Sequence, residues 1–352
     1  MFDWISDANV GAVIGLLGGI MLGLAARLGR FCTLGAIEDV LYAGSSLRMR
    51  MWGIAIGTAM IGSFTLMGLD LLAAEDTVYL QVAWNPLASI VGGLLFGYGM
   101  ALSGNCGFGA LARLGGGDLR AFVIVLVMGL SAYVAISGPL ARLRVTLFSA
   151  APIEDGPLPG LAQLASRLTG APVALVGIIT GAVIFLAMFT SPELRRAYKE
   201  VFWSIIAGLA VVLGWGGTYW VMQNGFSPVP VESHTYSAPL GDTIIYLMTS
   251  SGNNLNFGVG SVAGVLVGAF IGSLFKGHFR WEACEDPREL RRQILGAVIM
   301  GLGAVIGFGC SIGQGLSAFS LLYYGAPVTF LAIIAGAAIG LRQLISGFVV
   351  AE

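Results

Sequence analysis

The chain consists largely of long apolar runs separated by short polar segments, and this pattern limits its possible folds more than any other feature. Nine such runs cover roughly residues 8–26, 51–73, 86–104, 121–140, 171–189, 201–221, 258–275, 294–309 and 326–348. An α-helix of about 20 mostly apolar residues spans the hydrocarbon core of a bilayer, which is about 30 Å thick. The pattern therefore predicts an all-α polytopic membrane protein with about nine transmembrane helices.

The overall composition agrees with a chain embedded in a lipid bilayer. Hydrophobic residues make up 57% of the 352 residues and charged residues only 11%, whereas a soluble domain carries about 25% charged residues. The net charge of −1 provides no basic face for nucleic acid. We expect a single transmembrane domain over residues 1–352, without a second, soluble domain.

The basic residues predict the orientation of the chain. Most of the 18 Lys and Arg residues follow the first, third, fifth and seventh runs or lie near the C-terminus. The others are Arg142, Arg144 and Arg167, which follow the fourth run. Because basic residues are enriched in cytoplasmic loops, the N-terminus is expected outside and the C-terminus in the cytoplasm. The N-terminus also lacks the basic segment of a cleaved signal peptide, so the first run reads as a retained helix.

Two halves of the chain resemble each other. Residues 89–112 align without gaps on residues 293–316 at an offset of 204, which pairs Gly92 with Gly296, Gly99 with Gly303 and Cys106 with Cys310. A weaker match between residues 28–35 and 223–230 pairs Cys32 with Ser227. These matches predict a first repeat over 1–140, a linking span over 171–189 and a second repeat over 201–348. Since the linking span is a single helix, the second repeat should be inverted in the membrane, as in many transporters.

Three of the four cysteines lie in glycine-rich breaks that follow apolar runs: Cys32 in GRFCTLG, Cys106 in SGNCGFG and Cys310 in GFGCSIGQG. Irregular backbone at membrane depth is tolerated only where it is buried in protein or lines a cavity, and broken helix ends expose N–H groups that can hold an anion. A thiol is a soft, weak donor suited to a sulfur-containing anion. The alternative is that each cysteine is simply a small apolar residue. Cys284, in the charged segment 277–293, is interpreted as incidental.

Residues beside these cysteines form a second group of candidates. Arg30, Asn105, Gly107, Ser311 and Gln314 could contact a substrate anion. The polar ones could equally be an interfacial arginine and residues that cap helix ends. Glu38 and Asp39 could form a proton site or lie in a loop near water. With no CxxC pair and only two histidines, the chain predicts no metal site and no cofactor.

At these cysteine motifs the chain resembles the YeeE/YedE family of bacterial sulfur-transport membrane proteins, and the resemblance covers essentially its whole length. The resemblance implies a nine-span, pseudo-symmetric, hourglass-like protein that takes up thiosulfate across the inner membrane. It implies a relay of thiol hydrogen bonds through Cys32, Cys106 and Cys310, and a small cytoplasmic sulfur-carrier protein as partner. A branch of the family is associated with selenium, so a selenium-containing or other sulfur species is an alternative substrate.

Two further functions remain open at this level. A membrane sulfurtransferase could carry sulfur as a cysteine persulfide. No histidine lies near the cysteine motifs in the sequence, which argues against this enzyme. An accessory subunit, whose thiols only pack, is the third hypothesis.

Overall fold

The computed structural model describes residues 6–149, 151–153, 156–226, 228–283 and 286–347. These residues form helices and only isolated β-bridges, which confirms the predicted all-α class. The helices are α1 (Asp7–Leu28), α2 (Thr33–Glu38), α3 (Leu47–Gly68), α4 (Pro86–Ser103), α5 (Gly107–Leu114), α6 (Leu119–Ile136), α7 (Ala141–Leu147), α8 (Leu161–Thr169), α9 (Val173–Met188), α10 (Pro192–Arg196), α11 (Tyr198–Asn224), α12 (Ala238–Thr249), α13 (Phe257–Phe275), α14 (Pro287–Ile306) and α15 (Gly325–Ser346), with π-helical turns at Asp39–Ala43 and Gly313–Ala318.

Within the described residues, seven helical stretches are long and apolar enough to cross a membrane. They are Asp7–Ala43, Leu47–Gly68, Pro86–Leu114, Leu119–Ile136, Tyr198–Asn224, Phe257–Phe275 and Gly325–Ser346. The pair α8 and α9, bent by 116°, would be an eighth if it forms one span. Helix α9 alone has 16 residues, and α14 opens on a charged turn. The polytopic class is thus confirmed, while the count of nine stays a prediction.

Glycines let the long helices approach closely, as is common in membrane proteins. Helices α4 and α14 meet at two such points. A Cβ added at Gly92 would lie 2.8 Å from the Gly303 carbonyl oxygen, and one added at Gly99 would lie 2.6 Å from that of Gly296. Because the residue number rises along α4 as it falls along α14, the two helices run antiparallel.

Helices α1 and α11 form a second antiparallel pair. An added Cβ at Gly18 would lie 3.4 Å from the Ala210 carbonyl oxygen, whereas one at Gly217 would contact the Ile14 side chain. Around these two pairs, α1 packs on α13, α3 on α11, α4 on α15 and α6 on α14. The short helices also pack on long ones, with α2 against α15 and α12 against α6.

The short helices after the breaks are the main feature that the apolar runs did not predict. Helices α2 and α5 follow the breaks at Cys32 and Cys106, and helical residues 311–320 follow the break at Cys310. Helix α12 lies in a segment that the runs left as a connection. Since each short helix begins next to a break, the fold brings several helix N-termini into the protein interior.

Candidate functional site

The three cysteines of the breaks share one backbone geometry. The residue two positions before each of them has a positive φ: 55° at Arg30, 71° at Gly104 and 56° at Phe308. This left-handed conformation ends the preceding helix. It favours glycine, and for other residues it carries a cost of about 1–2 kcal/mol. Two of the three positions are not glycine, so the surrounding packing must hold these breaks in place.

Each cysteine sulfur caps the helix that follows. The backbone N–H three residues further on donates to Sγ, over 3.5 Å from Gly35 to Cys32, 3.3 Å from Gly109 to Cys106 and 3.4 Å from Gly313 to Cys310. The side chain thereby satisfies one of the free N–H groups at a helix start. A thiol that accepts through sulfur keeps its own proton as a donor. The sequence signal for this arrangement is the spacing C-x-x-G, present at all three sites.

Cys106 lies near both of the other thiols. It is fully buried and lies within electrostatic range of both Cys32 and Cys310. The hydroxyl of Ser311 lies beside its sulfur, yet forms no well-directed hydrogen bond with any described residue. The structure therefore brings Cys32, Cys310 and Ser311 close to Cys106.

Cys310 receives further contacts from the segment that precedes α12. The backbone N–H of Tyr236 donates to its sulfur over 3.1 Å, and the Thr235 hydroxyl lies 3.6 Å away. The neighbouring His234 is buried, although sequence reasoning placed no histidine near a cysteine motif. Its Nδ1 lies 2.6 Å from the Ser261 hydroxyl. The His234 ring therefore already has a hydroxyl partner. Its segment comes close to Cys310 only in the folded protein, because the two are far apart in the sequence.

Cys32 opens onto a basic cavity of about 410 Å³, which we call the basic vestibule. Its lining residues are Ala26, Arg27, Arg30, Cys32, Arg48, Arg113, Ser273, Lys276 and His278. Burial, and next the charges of Arg30 and Arg27, lower the pKa of Lys276. The sequence singled out Arg30 alone from this group. Arg27 lies at the same end of α1, whereas Arg48, Arg113 and Lys276 come from three other helix ends. An anion entering this cavity would relieve the repulsion between them.

Two acidic candidates lie at the rim of this vestibule. Asp39 forms a bidentate ion pair with Arg48 that includes a 2.6 Å hydrogen bond from Nη2. Glu38 ends α2 and is partly buried. The pairing of Asp39 favours the interpretation of a charged helix connection over that of a free proton site.

The remaining candidates fall into different roles. Asn105 is buried in the break before Cys106. Gly107 lies under the Tyr236 carbonyl, whose oxygen would be 2.8 Å from an added Cβ. Gln314 donates to the Gly307 and Phe308 carbonyls over 3.1 and 2.8 Å, so its amide N–H groups brace the break and are not free to donate to a substrate anion. Cys284 and Ser227 lie outside the described residues.

Comparison with known proteins gives a consistent result. A family model described as "Sulphur transport" matches residues 28–339, a range that contains all three breaks. The thiosulfate transporter TsuA of Escherichia coli (strain K12) is 26% identical over 325 residues, covering 86% of each chain. The thiosulfate transporter TsuA of Spirochaeta thermophila is 26% identical over 316 residues, covering 86% of this chain and 90% of that protein.

Proposed function

Because this chain belongs to the sulphur transport family, we propose that it is a transporter that takes up thiosulfate across the bacterial inner membrane. Two relatives that match most of the chain carry the name thiosulfate transporter. The N-terminus lies outside and the C-terminus in the cytoplasm, as the distribution of basic residues predicts. The basic vestibule then opens toward the cytoplasm.

The observation that carries this function best is the shared capping of the three thiols. Thiosulfate has two negative charges, so its transfer out of water is costly unless donors replace the lost hydration. Each capped sulfur retains an S–H group that can donate to the anion. The substrate passes from Cys310 to Cys106 and then to Cys32, and no single thiol binds it too tightly to release it.

The basic vestibule completes this path at the cytoplasmic end. Its cations offer the anion a favourable environment after Cys32, without a single bidentate site that would trap it. A small sulfur-carrier protein, expected from the family resemblance, would meet the transporter at this face.

We further propose that the scaffold is an inverted repeat with nine spans. The alignment at offset 204 pairs Gly92 with Gly296 and Gly99 with Gly303. The contact between Gly92 and Gly303 is therefore equivalent by repeat to the contact between Gly296 and Gly99. Antiparallel packing of α4 on α14, and of α1 on α11, is the relation expected for inverted halves.

The order of helices also identifies a counterpart for Cys32. Cys32 is the N-cap residue of α2, and Ser237 is the N-cap residue of α12. In the repeat that we propose, Cys32 is therefore paired with Ser237 and not with Ser227. The second half then has a hydroxyl where the first has a thiol.

Uptake of labelled thiosulfate by bacterial cells that lack their own thiosulfate importers tests the function directly. Cells that express the chain should accumulate the label, and cells with an empty vector should not. Unlabelled selenite, sulfite and sulfate serve as competitors, since a different preferred anion would displace the label more effectively. A well-expressed chain that accumulates no label would contradict thiosulfate uptake.

The vestibule leads to a prediction about Arg113. Within the described residues Arg113 makes no ion pair, so its charge is available to a substrate. We expect Arg113→Gln to slow thiosulfate exchange in proteoliposomes severalfold and to weaken its dependence on ionic strength. Arg291→Gln, at an exposed position of α14 outside the vestibule, is the matched control. Equal slowing in both variants would rule out a specific role for the vestibule.

A further inference from the structure

A cluster of hydroxyl groups lies beside Cys310, on the side of that thiol away from the basic vestibule. Tyr79, from the connection between α3 and α4, is buried and places its hydroxyl next to that of Thr235. An added Cβ at Gly313 would lie 2.6 Å from Thr235 Oγ1 and 2.9 Å from Tyr79 Oη. The two hydroxyls therefore converge over Gly313, whose N–H donates to Cys310 Sγ. The absence of a side chain at this glycine keeps the approach open.

The aromatic surroundings fix the position of the Tyr79 hydroxyl. The ring of Tyr79 contacts those of Trp215, Phe308 and Tyr323, at centroid distances of 6.1, 5.4 and 6.1 Å. A ring held on three sides cannot rotate its hydroxyl away from Thr235. The group is thus preorganised, which reduces the entropy lost when a ligand binds.

A small cavity on the predicted outer side lies against two of the rings that contact Tyr79. Its volume is about 30 Å³, and its lining includes Phe308, Tyr323 and Arg144. Two of these residues contact Tyr79, and the third is a cation. Arg144 thus lies on the outer side of the rings that surround Tyr79, where its charge would attract an anion from outside.

The donors next to Cys310 differ in hardness. Its sulfur already accepts N–H groups from Tyr236 and Gly313, which leaves the S–H group as a soft donor. The hydroxyls of Tyr79 and Thr235 are hard donors that prefer oxygen acceptors. A set of one soft and two hard donors matches an anion that carries both a terminal sulfur and sulfonate oxygens.

We propose that Tyr79 and Thr235 form an entry site with Cys310, in which the hydroxyls donate to the oxygens of thiosulfate and the thiol donates to its terminal sulfur. This inference rests on the proposed function and extends it to the specificity of the first binding step. Sulfate would present only oxygens to the same site and would leave the thiol without its soft acceptor.

The test is the concentration dependence of thiosulfate uptake in cells that express Tyr79→Phe, Thr235→Val or Thr235→Ser. Tyr79→Phe keeps the ring, Thr235→Val keeps the shape, and Thr235→Ser keeps the hydroxyl. Loss of a hydrogen bond to a charged ligand should raise the KM roughly tenfold or more, with a smaller change in the maximal rate. Thr235→Ser should restore most of the wild-type KM. Thr180→Val is the matched control, because the Thr180 hydroxyl donates to the Val176 carbonyl within the same helix, α9.

Membrane levels and melting temperatures in detergent identify a variant that fails to fold. If folded Tyr79→Phe and Thr235→Val keep the wild-type KM, the entry site is wrong while thiosulfate uptake stands. If Thr235→Ser is as impaired as Thr235→Val, the hydroxyl is not the group that matters and the inference also fails. If the wild-type chain takes up no thiosulfate, the proposed function fails and the entry site fails with it.

Discussion

Replacing Cys106 with alanine should reduce thiosulfate uptake to the level of an empty vector. Cys106 lies near both of the other thiols and is fully buried. Without its S–H group the anion would cross this buried part of the proposed path with one donor fewer. Loss of a hydrogen bond to a charged group costs about 1.5–3 kcal/mol, which slows passage by roughly ten- to 150-fold. Uptake of labelled thiosulfate, normalised to the amount of protein in the membrane, measures this effect.

Two variants separate the transport role of Cys106 from its structural role. Cys106→Ala also removes the acceptor for the Gly109 N–H, and losing a helix cap costs about 1 kcal/mol. Cys106→Ser retains both a cap and a donor, so it should fold normally and transport at an intermediate rate. Cys284→Ala should behave like the wild type. If a folded Cys106→Ala variant takes up thiosulfate at the wild-type rate, the Cys106 thiol only packs and has no role in transport.

Replacing Gly99 with alanine should have the largest effect on folding. An added Cβ would lie 2.5 Å from the Met300 nitrogen and 2.6 Å from the Gly296 carbonyl oxygen, both on the facing helix α14. Backbone atoms cannot move aside as a flexible side chain can, so α4 and α14 must separate. Overpacking of this kind typically costs about 1–3 kcal/mol. We expect a lower melting temperature in detergent and a smaller yield of monodisperse protein.

Gly11→Ala is the matched control for this prediction. Gly11 lies in α1, and among the described residues no atom outside the adjacent backbone of α1 comes within 4 Å of an added Cβ there. Alanine is favoured over glycine inside a helix by about 1 kcal/mol, so this variant should be at least as stable as the wild type. A Gly99→Ala variant as stable as the Gly11→Ala variant would contradict the close packing of α4 on α14.

The sequence predicted the long helices well because their signal is local. A run of apolar residues identifies a membrane helix without knowledge of its neighbours, and each of the nine runs corresponds to a helix of the structure. The ends of those helices depend on more distant contacts. The positive φ of Arg30 and Phe308 could not be predicted from residue type, because neither is glycine.

The site was only partly predictable for the same reason. The cysteine motifs were visible as short patterns, and Ser311 could be chosen from its position next to Cys310. Tyr79 and Thr235 lie more than 150 residues apart in the sequence and meet only in the folded protein. The cations of the basic vestibule likewise come from separate helix ends, so no local pattern marks them as one group.

The capping role of the cysteines has a consequence for cells under oxidative stress. An oxidised or alkylated cysteine has lost its soft S–H donor, and its sulfur carries a bulkier group at the start of a helix. Modification of a single sulfur atom would therefore both stop uptake and destabilise the helix that follows it. Cys32 is the most accessible of the three sulfurs, whereas Cys106 and Cys310 are buried. Inactivation by peroxide should begin at Cys32, and a cell would then lose import of a reduced sulfur source when its thiol pool is most heavily used.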